Sequence, residues 1–172
     1  MINIALDGPA GAGKSWLAHT LAEKLGFIHV DTGALYRSIG LYMSRRGIAP
    51  EDKAAFVPAL DGLTVELGFE DGAQRVCLCG EDVTGLIRTP DISMYASAVS
   101  SVPEVRAFLL ETQRRLAREN NVIMDGRDIG TVILPDASVK IYVTASDEVR
   151  AKRRMLELHE KGIQQSFEDV LA

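Results

Sequence analysis

The sequence predicts an α/β fold with a parallel sheet flanked by helices, and three observations carry the prediction. Ile2–Leu6 and Asn121–Asp125 are short, largely apolar runs that read as buried strands, and Phe27–Val30 and Val139–Val143 read as two further strands. Between Ile2–Leu6 and Phe27–Val30, Leu17, Ala18, Leu21, Ala22 and Leu25 recur at helical spacing before Gly26, making a strand–helix–strand unit that requires a parallel pair. The loop between the first strand and that helix, Gly8-Pro9-Ala10-Gly11-Ala12-Gly13-Lys14-Ser15, fits the phosphate-loop pattern G-x-x-x-x-G-K-[ST] at every fixed position.

The loop's chemistry follows from its residue types. Glycines let the backbone approach an anion and turn successive N–H groups toward it. The helix N-terminus adds partial positive charge. Lys14 is placed to reach β- and γ-phosphates, and the Ser15 hydroxyl to ligate Mg²⁺.

Composition narrows the class. At 172 residues the chain accommodates one domain with a sizeable core and a small insert. With 47% apolar and 25% charged residues it reads as globular, and a net charge of -5 argues against nucleic-acid polymers and anionic membranes as partners while leaving small anions open. No apolar run is long enough to span a bilayer, and the N-terminus has no secretion-signal pattern, so a cytoplasmic protein is expected. Cys77 and Cys79 are expected on one face of one strand, a poor disulfide geometry and a weak metal site, hence two reduced thiols.

In chain order, the second strand carries a lone histidine, His29, which reads as structural, and ends in Asp31-Thr32-Gly33-Ala34-Leu35-Tyr36-Arg37. Asp31 or Thr32 can cap a helix running to about Arg46. Residues 60–91 change character: Leu63, Val65 and Leu67 alternate, Glu70-Asp71-Gly72-Ala73 signals a turn, and Val76–Cys79 follows. This is a hairpin, with a third short strand near Gly80–Val83, and it reads as an inserted antiparallel subdomain of a single 1–172 domain. Such an insert fits a lid or substrate-side platform and inert decoration about equally.

Ser101-Val102-Pro103-Glu104 resembles a capping box opening a helix with Val105, Phe108, Leu109 and Leu116 on one side. The strand 121–125 ends on Asp125, the position of a carboxylate that orients Mg²⁺ through water. Arg127 and Asp128 follow at the carboxyl edge of the sheet, where ligands bind in open α/β folds, or form a salt-bridged turn. A helix starting at Ser146-Asp147-Glu148 and closing at Gly162 puts Arg150 and Arg154 on one face, suited to gripping phosphates or to pairing with Glu157 and its neighbours. Ser166–Asp169 opens another helix three residues before Ala172, which reads as a chain cut short.

Taken together these segments resemble bacterial-type cytidylate kinases, of the nucleoside monophosphate kinase group. The matching pieces are Ala5–Ser15, Asp31–Arg37, Gly80–Thr84, Ile87–Pro90, Val102–Arg106 and Asp125–Thr131 continuing into Val132, Pro135–Ala137 and Lys140–Tyr142, collinear over essentially the whole chain. The loop is shared by many families; D-[ST]-G-x-x-Y-R and D-G-R-D-x-G-T in this order are far more specific.

The resemblance implies transfer of the ATP γ-phosphoryl to CMP or dCMP with Mg²⁺, by a monomer, with 60–91 as an enlarged monophosphate-binding insert. It implies a catalytic group of Lys14, Arg127 and Asp128, and an ATP site of Gly8 to Ser15 with Trp16, Arg150 and Arg154. Arg37, Arg106 and Arg127 are carried over to the CMP phosphate or base, Thr32, Ser97 and Asp128 to the cytosine or ribose, and Ser15 and Asp125 to the metal. Asp128 accepting from the cytosine amine, with Arg106 or Ser97 donating to its carbonyl, gives a rationale for rejecting UMP. Family members continue into an arginine-rich lid, a last strand and a last helix. Without them the phosphate site is expected to survive better than turnover, and a sheet edge to be left uncovered. Trp16 stands where Thr is common, packing on the purine side or on the insert. Two other readings remain: a nucleotide-binding fragment of little activity, and a P-loop kinase for another small acceptor.

Overall fold

A computed structural model of the chain describes every residue except Asp71, Lys161 and Ala172; the expected turn residue Asp71 therefore lies outside the described residues. The elements are β1 Asn3–Asp7, α1 Lys14–Leu25, β2 Ile28–Asp31, α2 Thr32–Arg45, a 3-10 turn Lys53–Ala55 leading into α3 Phe56–Ala59, β3 Val65–Glu70, β4 Ala73–Leu78, β5 Glu81–Asp82, α4 Pro90–Ser100, α5 Pro103–Glu119, β6 Val122–Asp125, a π-helical stretch Ile129–Ile133, β7 Val139–Tyr142, α6 Asp147–Glu160 and α7 Phe167–Leu171. Among the described residues no helix is long and apolar enough to cross a membrane.

The parallel sheet has the order β2-β6-β1-β7. β1 and β6, in the middle of the sheet, are apolar on both faces because both are covered, whereas β7 at its edge is exposed at Val139, Lys140 and Tyr142. Ile4, Leu6 and Ile123 pack on one side against Ala18 and Ala22 of α1. Ala5, Val30, Val122 and Met124 pack on the other against Leu116 and Ala117 of α5 and Ile129 of the π-helical stretch. The β1–α1–β2 unit is parallel as its pattern predicts, but its strands are not neighbours: β6 runs between them, paired to both. The registers Leu6↔Asp125 and Asp31↔Asp125 align the carboxyl ends of three strands.

α1 is opened by Gly13 at φ 96 and closed by Gly26 at φ 65, both left-handed. A Cβ on Gly8 would stand 2.0 Å from the carbonyl oxygen of Val143, so the loop can leave β1 beside the end of β7 only with glycine there.

The second sheet is antiparallel, in the order β3-β4-β5. Val65, Val76 and Leu78 point inward and join Leu35, Ile39 and Met43 of α2, Ile92 and Val99 of α4, and Val105 and Leu109 of α5 in the largest apolar cluster. Gln74 reaches out of β4 to the end of β2, accepting from the Asp31 N–H at 2.9 Å and donating to the Asp31 carbonyl at 3.2 Å.

Three local expectations are corrected. The helix α4 is absent from the pattern reading, although Thr89 caps it at Ile92 and Pro90 opens it. Ser101 does not cap α5, because it ends α4 and its hydroxyl donates back to the Ala98 carbonyl at 2.7 Å; the residue at the cap position of α5 is Val102, which has no side-chain acceptor, and Pro103 opens the helix where a missing N–H costs little. Cys79 does not share a strand face with Cys77. It lies beyond β4, exposed, at φ 49, while Cys77 is half-buried in β4.

Candidate active site

Because β2, β6 and β1 end in register, they bring Asp31, Asp125 and Asp7 together at one edge of the sheet. Asp7 is 9% exposed and Asp125 4%, and buried carboxylates are costly unless each is hydrogen-bonded. All three are. Asp7 accepts from the N–H groups of Ile129 at 2.7 Å and Gly130 at 2.8 Å. This grip starts the π-helical stretch and fixes Arg127 and Asp128 just before it. Asp125 accepts from the Ser15 hydroxyl through Oδ2 at 2.7 Å, and its Oδ1 stands 2.9 Å from His29 Nε2. Asp31 caps α2 at Ala34 with Oδ1, and its Oδ2 accepts from Arg37 at 2.6 Å and Arg88 at 3.5 Å.

Around this edge lies a cleft of about 940 Å³, lined by Ala10, Gly11, Gly13, Lys14 and Ser15 of the loop on one side and by Thr32, Arg37, Ser97, Arg106, Arg127 and Asp128 on the other. Lys14 extends back over the loop and donates to the Pro9 carbonyl at 2.7 Å. Its burial, and then the Arg127 guanidinium, hold its ammonium below the usual lysine range. The first-turn N–H groups of α1 have no intrahelical partners, and its glycine cap offers no side-chain acceptor. The loop is therefore a basic, donor-rich wall.

The opposite wall pairs arginines with carboxylates. Arg106 of α5 binds the Asp128 carboxylate and donates to the Ser100 carbonyl at 3.5 Å. Arg37 keeps its Nε buried with no partner among the described residues, a donor left over for a ligand. Arg127 makes no ion pair among the described residues although it lines the cleft. Tyr36 also faces it, with burial pushing its phenol up. Thr32 is 3% exposed, and its hydroxyl donates to the Asp125 carbonyl at 2.8 Å, leaving lone pairs rather than its proton for the cleft. Trp16, on the rim, is 73% exposed.

The helix α6 differs in detail from the spacing argument. Arg150 pairs with Asp147, and Arg154 with Glu157 at 3.2 Å. Arg150 packs against Gly11 through its Cβ and backbone, and the guanidinium that bonds the loop is that of Arg153, whose Nη1 donates to the Gly11 carbonyl at 3.0 Å. Arg88, Arg153 and Gln74 are site residues without a role in the pattern reading. Arg88 lies within the Ile87–Pro90 segment; Arg153 and Gln74 carry no signal beyond being polar on a helix and on a strand.

Ser15 and Asp125 together offer a hydroxyl and a carboxylate, hard oxygen donors of the kind Mg²⁺ takes. The arrangement sets a donor-rich loop and a hydroxyl–carboxylate pair on one side against an arginine–carboxylate wall across the cleft.

Comparison with known proteins agrees along the whole length. A family model for cytidylate kinase matches residues 4–172. A cytidylate kinase of Caldicellulosiruptor bescii is 52% identical over 170 residues, covering 99% of this chain and 75% of that protein. One of Geobacter sulfurreducens is 48% identical over 169 residues, covering 98% of this chain and 72% of that protein. One of Lactobacillus gasseri is 46% identical over 170 residues, covering 99% and 74%. The matched span holds the loop, all three strand-end carboxylates and both arginine partners, so this chain belongs to the cytidylate kinase family.

Proposed function

We propose that this chain transfers the γ-phosphoryl group of ATP to CMP or dCMP, giving ADP and CDP or dCDP. The observation that carries the reading is the facing of two unlike walls across one cleft. A donor-rich loop suits a polyphosphate, and carboxylate-paired arginines suit a small anion attached to a polar base.

The loop backbone, Lys14 and Arg153 hold the donor's phosphates, with Trp16 at the rim of the same side; Arg150 and Arg154 flank the loop from α6. Ser15 and Asp125 are the residues to hold Mg²⁺, since the hydroxyl donates its hydrogen bond to the carboxylate and keeps its lone pairs for a cation. Held there, Mg²⁺ would supply positive charge to offset the negative charge of the donor's phosphates. Arg37 and Arg127 take the acceptor's phosphate, the first through its free Nε and the second through an unpaired guanidinium. Asp128 accepts from the cytosine amine, Arg106 donates to the ring carbonyl, and Ser97 and Thr32 complete the base and ribose side. The segment 60–91 serves as the acceptor's platform, tied to the site by Gln74. Catalysis is positioning and charge: two anions are brought into line, Lys14 and Arg127 offset their repulsion, and Asp128 fixes the acceptor.

The test is a coupled ADP-release assay with Mg-ATP against CMP, dCMP, UMP, AMP and no acceptor, paired with calorimetry of CMP binding. Turnover with CMP or dCMP well above UMP and AMP is expected. CMP binding without turnover would reduce the chain to a nucleotide-binding one, and preference for another acceptor would remove the substrate assignment.

A further inference from the structure

We propose that His29 is a positioning residue that sets the plane of the Asp125 carboxylate, and through it the direction of the Ser15 lone pairs. The proposal rests on the reading of Ser15 and Asp125 as the Mg²⁺ pair.

The geometry comes from the sheet. β2 and β6 are in register at His29↔Ile123 and Asp31↔Asp125, so His29 lies one diagonal step from Asp125. Residues two apart on a strand share a face, which puts Asp125 on the face of Ile123, the one that α1 covers. The imidazole is only 18% exposed and the Asp125 side chain 5%, with Nε2 2.9 Å from Oδ1. His29 does not line the cleft, so it meets no nucleotide and can act only through Asp125.

The chemical need is specific. A carboxylate held by one hydrogen bond pivots about its Cβ–Cγ bond. Donors on both oxygens fix its plane. Ser15 supplies one at Oδ2, and His29, with its proton on Nε2, supplies the other at Oδ1. The Ser15 hydroxyl has one proton and two lone pairs. As long as Oδ2 stays in place to take the proton, the lone pairs are aimed away from Asp125, toward the phosphate side of the loop. Loss of the imidazole donor lets Oδ2 swing and the hydroxyl with it. Donors of this supporting kind typically contribute about ten- to a hundredfold in metal affinity.

The experiment uses His29→Phe, which keeps ring bulk without a donor, His29→Asn, whose donor falls short, and His29→Gln, whose amide reaches the Nε2 position. Mn²⁺ binding to the protein–ATP complex is followed by electron paramagnetic resonance. ATP affinity is measured calorimetrically with Mg²⁺ and in chelator. His29→Phe and His29→Asn are expected to weaken Mn²⁺ about tenfold or more, to leave ATP affinity in chelator unchanged, and to be largely rescued in His29→Gln. Wild-type Mn²⁺ affinity in the foldable donor-less variant, or an equal loss of ATP affinity with and without metal, would overturn the proposal. Asp125→Asn separates the two readings. If it leaves Mn²⁺ affinity unchanged, the metal assignment itself fails; if it weakens Mn²⁺ while His29→Phe does not, only the role of His29 fails.

Discussion

Strand β6 is buried at all four of its residues, whereas β3, in the smaller sheet, alternates from buried Val65 to exposed Glu66 and onward to Glu70. The central strands of the parallel sheet are covered on both faces, and the three carboxylates at the site stand at strand ends, each held by two or more hydrogen bonds. The three-stranded sheet has one wet face and is held by the apolar cluster on α2, α4 and α5, by the Arg45–Glu81 pair between α2 and β5, and by Gln74 on the Asp31 backbone. Charge placement in the first region is inseparable from folding. In the second, a largely apolar docking is coupled to the site through a few polar contacts with Asp31, from Gln74 and Arg88. Substitutions in the parallel core should therefore damage the chemical step, and those in the insert should damage acceptor affinity.

The largest effect tests the core side. Lys14→Ala removes the ammonium nearest the loop, and kcat should fall about a hundred- to a thousandfold, the scale of losing one preorganised donor on developing charge. KM for CMP should change little, because the acceptor wall is untouched. Steady-state ADP release at saturating CMP checks both parts. A large rise in KM for CMP would break the division between the two walls.

Asp128→Asn tests the wall that both regions share. It unpairs Arg106 and removes an acceptor for the cytosine amine. Charged hydrogen bonds are worth roughly 1.5–3 kcal/mol, so kcat/KM for CMP should fall about ten- to a hundredfold. The preference over UMP should narrow as well, since an amide can turn its N–H toward a uracil carbonyl. Parallel kcat/KM values for CMP and UMP read the outcome; an unchanged ratio would move base recognition away from Asp128.

How much of this was legible beforehand follows the same divide. The loop, α1 with its Gly26 cap, and Asp125 at the end of a buried strand could be read because each rests on local spacing. That β6 runs between β1 and β2 could not, because strand order is a property of the closed sheet. The choice of Arg153 over Arg150 and Arg154 depends on how α6 is rotated against the loop, which a helical repeat leaves free. α4 escaped because Ile92, Met94, Tyr95, Ala96, Ala98 and Val99 make a broad apolar surface rather than a clean stripe; Thr89-Pro90 was the signal available. Gln74 had none, since a glutamine on a hairpin gives no hint of the strand it will reach.

Gln74→Ala therefore probes the junction between the two sheets. Its two bonds to Asp31 are ordinary ones of about 1 kcal/mol each, and their loss should loosen β4 from β2 without emptying the apolar cluster. KM for CMP should rise about three- to tenfold at nearly constant kcat, with faster amide exchange in β3 and β4 than in β1. A fall in kcat with unchanged KM would mean that the clamp serves the chemical step.

The smallest effect concerns charge alone. Burial and Arg127 keep the Lys14 ammonium below the ordinary lysine range in the free protein, so its neutral fraction grows at a lower pH than for an exposed lysine. Bound phosphates favour the ammonium and raise that pKa again. As pH rises through the free-state value, ATP binding must then draw up to about one proton from solution and must weaken. Below that value Lys14 is charged in both states, and neither effect is present. Calorimetry in two buffers of different ionisation enthalpy measures the uptake directly. Arg127→Gln should shift its onset to higher pH by removing the neighbouring charge, whereas Gln74→Ala should leave the onset where it is. An onset moved by the insert substitution would show that the two sheets share their electrostatics as well as their boundary at Asp31.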